Sequence, residues 1–150
     1  MKNITFILLF LTATISFAQE EEQENTKVVV SCNSITMQGA NNQSAFYNKT
    51  PFTGKCTDNN IEKIYNNGLL SGTYKVFYDS GKLKEATQYD NNLKNGSYVK
   101  YNNQGVLLIS GNFKNNLKDG YWKTYDEISK KIKSIKKFNL DVEEKVTTKN

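Results

Sequence analysis

The chain of 150 residues has the size of one small domain and carries a formal net charge of +5, every basic residue being a lysine. Lacking histidine and arginine, it cannot by itself build a Ser-His-Asp or Cys-His nucleophile, a histidine-ligated zinc site, or the bidentate guanidinium fork that grips phosphate and guanine. Its two cysteines are too few for a four-cysteine metal site, so no metal and no cofactor is expected.

Residues 1–18, MKNITFILLFLTATISFA, read as an export signal. Lys2 gives the positive start, Ile4 to Leu11 the apolar run, and Ser16-Phe17-Ala18 the small-x-small cleavage pattern. The run is broken by Thr12, Thr14 and Ser16, and falls short of the roughly 20 apolar residues of a membrane-spanning helix. Residues 19–27, rich in glutamate, read as an acidic flexible leader. Export is expected to place the protein in a periplasm or outside the cell. That oxidising setting favours a structural disulfide between Cys32 and Cys56.

Residues 28–50 form an N-terminal extension. It opens with the β-prone Val28-Val29-Val30 and is otherwise polar, with one irregular strand expected. From 51 to 138 the chain repeats itself. Glycine recurs at 72, 96 and 120, a period of 24 residues. In the same register stand Tyr74/Tyr98/Trp122, Phe77/Tyr101/Tyr125, Gly81/Gly105, Leu83/Leu107, Tyr89/Phe113 and Leu93/Leu117. A shortened unit precedes the clean pair, keeping Tyr65 and Leu69. A degenerate one follows, with one inserted residue, no turn glycine, and Ile132 and Phe138 in the later columns. Aberrant terminal units are what a repeat array needs to close its ends.

Each unit predicts a hairpin: an aromatic and β-branched run, a turn such as Asp79-Ser80-Gly81-Lys82, and a returning strand. One hairpin is marginal alone, so the units are expected to pair edge to edge. The fold class is therefore all-β, a single twisted antiparallel sheet of stacked hairpin repeats. Ile128 to Phe138 also fits a helical stripe, but the repeat column makes it the last strand. Residues 139–150, poor in apolar side chains, are expected to fray as a flexible tail.

This pattern resembles the bacterial MORN-repeat-variant family. It is carried by Gly72, Tyr74, Phe77, Gly81, Leu83, Tyr89 and Gly96, then by Gly96, Tyr98, Tyr101, Gly105, Leu107, Phe113 and Gly120, with Pro51 to Lys55 similar to the opening of such arrays. The resemblance implies a non-enzymatic binding protein with an antitoxin- or immunity-like role, since members are commonly labelled antitoxin components of toxin–antitoxin systems.

From the residues themselves, two aromatic columns are candidate binding groups. Tyr74, Tyr98 and Trp122 form one; Phe77, Tyr101 and Tyr125, three residues on, should face the other way. They make a protein the expected partner. The alternative is adhesion to a membrane or polysaccharide surface through a basic patch of Lys130, Lys131, Lys133, Lys136 and Lys137. No nucleic-acid partner is expected of an exported chain. Glu62, Asp79, Glu85, Asp90, Asp119, Asp126 and Glu127 fall at turn or surface positions with no convincing catalytic pairing, so no enzyme is expected and no catalytic residue is assigned.

Overall fold

The structure, a computed structural model, describes residues 28–144. The export signal, the acidic leader and residues 145–150 lie outside the described residues. The strands are β1 (Val29–Ser31), β2 (Thr36–Gln38), β3 (Ser44–Tyr47), β4 (Thr50–Pro51), β5 (Gly54–Asp58), β6 (Ile61–Asn66), β7 (Leu69–Leu70), β8 (Gly72–Phe77), β9 (Leu83–Asp90), β10 (Leu93–Tyr101), β11 (Leu107–Lys114), β12 (Leu117–Tyr125), β13 (Ile132–Asn139) and β14 (Val142–Glu144). Only a short 3-10 turn at Cys32–Ser34 interrupts them among the described residues. The fold is all-β, and Ile132–Asn139 is a strand as the repeat column requires.

The hairpins line up in chain order, β5-β6-β8-β9-β10-β11-β12-β13-β14, with antiparallel pairing throughout. Two turn types alternate along the array. One is tight, with both central residues at positive φ: Asn91-Asn92 (48°, 68°), Asn115-Asn116 (50°, 72°) and Leu140-Asp141 (48°, 68°). Such turns match the natural twist of the strands, and asparagine adopts this conformation more readily than most residues. The other type is longer and places Gly81, Gly105 and Lys130 at positive φ. Lys130 thus takes the backbone role of the glycine missing from the last unit.

The glycines that open the units have an aromatic cross-strand partner in every unit. Gly54 pairs with Tyr65, Gly72 with Tyr89, Gly96 with Phe113 and Gly120 with Phe138. A β-carbon at Gly72 would press on Ile64. The units are also stitched at their tight turns. The main-chain N–H groups of Leu70, Lys94 and Lys118 donate to the side-chain oxygens of Asn92, Asn116 and Asp141 at 2.7–2.8 Å. The main-chain N–H of each of those acceptors returns a bond to the carbonyl of the same partner, at 2.8–2.9 Å. One side chain therefore fixes the position of each turn against the preceding one.

Three features depart from the expected single antiparallel sheet. First, β1 pairs in parallel with β5, joining Val30 to Cys56 in register, so the main sheet is mixed at that edge. A parallel pair needs a long crossover, and the residues between supply it. Second, that crossover is not one irregular strand. It folds as a separate three-stranded sheet, β2-β3-β4. Third, the expected fraying tail begins too early, because Val142–Glu144 pairs with β13 across the Leu140-Asp141 turn.

The core lies where the small sheet covers one end of the large one. Ala45, Phe52, Cys56 and Tyr65 are buried there, with Val30, Ile35, Tyr47 and Leu70 around them. The expected Cys32–Cys56 bridge is formed at this point. Closing a loop of this size stabilises a fold by roughly 3 kcal/mol on the chain-entropy model.

Candidate functional site

The face of the large sheet that carries Cys56 and Tyr65 continues past the small sheet. The pairings run Tyr74 to Thr87, Thr87 to Tyr98, Tyr98 to Gly111, and Trp122 to Lys136. The small Thr87 and Gly111 thus fall between the aromatic positions, and the Trp122 ring lies over Gly111. Among the described residues no second layer covers β10 to β13 on this side, and the rings there line a cleft of about 330 Å³.

Its floor is Tyr98, Phe113, Trp122 and Phe138. Tyr98 and Trp122 stack at 5.3 Å between centroids; Phe113 meets Trp122 edge-on at 5.0 Å and Tyr98 at 5.6 Å. Phe138 closes the cluster, its centroid 6.4 Å from that of Trp122. Edge-to-face and offset contacts satisfy the ring quadrupoles and add about 0.5–1.5 kcal/mol per pair beyond burial. The indole N–H of Trp122 donates to the carbonyl of Asn112 at 3.1 Å.

Lysines form the rim. The Lys94 ammonium lies 5.0 Å from the centroid of Phe113, and that of Lys118 lies 4.8 Å from Trp122 and 5.1 Å from Phe138. Lys94 and Lys118 occupy the same position in successive units. Among the described residues neither is paired with a carboxylate, whereas Lys136 on the same rim binds Glu143 at 3.0 Å. Burial pushes the Tyr98 phenol up to about 12, helped by the Glu85 carboxylate beside it. Tyr98 therefore stays a neutral hydroxyl at any physiological pH.

The structure separates the expected binding residues. Tyr74, Tyr98 and Trp122 share the cleft face, but only Tyr98 and Trp122 line the cleft; Tyr74 lies nearer the small sheet, with the Lys63 ammonium 5.3 Å over its ring. Trp122 is only 8 % exposed and serves as floor more than as a projecting contact. Phe77, Tyr101 and Tyr125 each sit beside a register shift, across from Leu83, Leu107 and Ile132. Tyr125 lies on the opposite face, its hydroxyl 3.2 Å from that of Ser110, and borders a separate hollow with Leu107 and Lys130.

The basic patch does not form one surface, because strand alternation splits it. Lys136 follows Trp122 to the cleft face and Lys137 follows Tyr121 to the other. Glu143 and Glu144 of β14 neutralise these two in turn, at 3.0 and 2.7 Å. The rim lysines Lys94 and Lys118 were not among the expected contacts. Their signal was their recurrence at the repeat period next to the aromatic column.

Among the described residues no three His, Cys, Asp or Glu side chains converge as a metal site would require, and the two cysteines are tied to each other. Compared with known proteins, the chain matches no family model, no curated protein and no solved structure.

Proposed function

We propose that this chain is an exported, non-enzymatic repeat protein of MORN-variant type that binds a protein partner, in an antitoxin- or immunity-like role, through the aromatic cleft on β10 to β13. Among the described residues, the observation that carries this reading is a ring cluster recessed on a face with no covering layer, rimmed by the Lys94 and Lys118 ammonium groups, which have no carboxylate partner. Concave sites with an apolar floor and a few oriented polar groups are where proteins receive ligands, and aromatic side chains dominate the energetics of such contacts. A sheet built only for support would gain by burying these rings under a second layer, as the N-terminal sheet does for Tyr65.

Export accounts for the N-terminal sequence, and the Cys32–Cys56 bridge is compatible with an oxidising compartment. No helix among the described residues is long and apolar enough to cross a membrane. Adhesion through the 130–137 lysines is the weaker reading, since those side chains are divided between faces and partly neutralised.

The test is capture from the envelope fraction of the native cells with the wild-type chain and with Tyr98→Ala. Tyr98 lines the cleft and is only half-buried. A protein retained by wild type and lost by the folded variant is the expected result. Capture of lipid or polysaccharide alone, released by salt, would overturn the proposal.

A further inference from the structure

We infer that the cleft takes an acidic, extended peptide segment, two of whose carboxylates meet the ammonium groups of Lys94 and Lys118 while an apolar side chain between them enters over the ring floor. This deepens the protein-binding reading and rests on it. The two lysines come from equivalent places in neighbouring hairpins, two strands apart, and strand spacing sets their main chains about 10 Å from each other. An extended peptide covers that distance in about three residues, so acidic residues two to four positions apart reach both.

Charge and ring geometry together select this occupant. Each ammonium lies over ring faces that a stacked sugar would need, and Phe113 and Trp122 are only 9 % and 8 % exposed. The site therefore offers lysine ammonium groups at its rim rather than a flat platform; the one carboxylate in its lining, Glu85, sits beside Tyr98 and pairs across from Lys100, six residues along β10 from Lys94. A membrane surface needs apolar groups that protrude, and here they are recessed. Lys136, another lysine of the lining, shows the contact awaiting Lys94 and Lys118, for its ammonium is already held by Glu143. Oriented ammonium groups beside an apolar floor bind carboxylate more strongly than free lysines in water, because the rings partly exclude solvent.

Trp122 is the only tryptophan in the chain, so its fluorescence reports occupancy of the cleft directly. The probe is a capped pentapeptide alternating glutamate and phenylalanine, titrated into the full exported chain. The same peptide with lysine for glutamate, polygalacturonate, and vesicles containing phosphatidylglycerol are titrated in parallel. Saturable change with the acidic peptide alone is expected, weakened roughly tenfold or more in Lys94→Gln/Lys118→Gln. Lys130→Gln/Lys131→Gln, an equal loss of charge outside the cleft, should leave it unchanged, with circular dichroism confirming both folds. No saturable response, an equal response to the lysine peptide, or full binding by Lys94→Gln/Lys118→Gln would overturn the inference. A stronger response to polygalacturonate or vesicles would do the same. A native protein captured by wild type, lost on Tyr98→Ala but kept by Lys94→Gln/Lys118→Gln, would sink this inference alone and leave the protein-binding reading intact.

Discussion

Trp122 of β12 lies flat against Gly111 of β11, so close that a β-carbon at Gly111 would fall inside the indole. Gly111 has no positive φ to require glycine; the requirement comes from the ring. Thr87, its equivalent one unit earlier, is buried between its cross-strand neighbours Tyr74 and Tyr98. The floor of the cleft therefore depends on a matched pair of residues from neighbouring strands.

Gly111→Ala should displace the indole and destabilise the fold by about 1–3 kcal/mol, the usual cost of overpacking. Denaturant unfolding measures the loss, and a red-shifted tryptophan emission reports the displaced ring. In a Trp122→Leu background the same substitution should cost much less, since residues in direct contact are not additive. Equal costs in both backgrounds would show that the contact does not set the requirement.

Away from the cleft, on the opposite face, Glu62 sits between Lys75 at 2.9 Å and Lys55 at 3.4 Å. The Lys75 hydrogen bond leads in holding its carboxyl below the ordinary value of 4.5, against the opposing effect of burial. A depressed carboxyl contributes stability that is present above its unfolded value and lost as pH falls through the folded one. Glu62→Gln should cost about 0.5–1 kcal/mol at neutral pH. The gap between the two unfolding curves should close as pH drops through the carboxylate range. A gap that persists in acid would mean that Glu62 acts through packing instead.

The last unit carries two side chains in turn positions suited to other residues. Lys130 has φ 58° where the earlier units have Gly81 and Gly105, and Leu140 has φ 48° where they have Asn91 and Asn115. Left-handed backbone costs an ordinary residue roughly 1–2 kcal/mol. Lys130→Gly and Leu140→Asn are each expected to raise stability by about 0.5–1 kcal/mol once the flexibility of the unfolded chain is counted. Thermal unfolding checks this, and a fall in melting temperature would refute it.

Asn116 tests the stitching between units. Asn116→Gly keeps the turn conformation but removes the oxygen that accepts the Lys94 N–H at 2.8 Å. A loss of about 0.5–1.5 kcal/mol is expected, with faster hydrogen exchange at the Lys94 amide. Asn115→Gly, at the same turn, should leave that amide's exchange unchanged.

The parts of the fold that repeat were legible in the sequence, because Tyr74, Tyr98 and Trp122 recur beside glycines at fixed spacing and hairpins are local. The parallel pairing of Val30 with Cys56 was not, since it joins two non-repeating segments across a crossover with no periodic pattern. β14 was hidden because Leu140-Asp141 replaces the asparagine pair of the earlier turns, although Asp141 makes the same bond to Lys118 as Asn116 makes to Lys94. The aromatic columns were visible but not their depth. Gly111, a glycine inside a strand and outside the turn column, was the available sign that a large side chain approaches there. The division of the 130–137 lysines followed from strand alternation alone; their neutralisation needed the unforeseen β14.

The stitches Leu70–Asn92, Lys94–Asn116 and Lys118–Asp141 each join partners 22 or 23 positions apart. Each of these three stitches joins adjacent units, so they couple each hairpin of the array to its neighbour. Such a topology is expected to fold as a zipper, nucleating where adjacent units match best and growing outward. The two regular hairpins in the middle are then the expected nucleus, and growth should stop at the divergent ends, one locked by a disulfide and one closed by ion pairs.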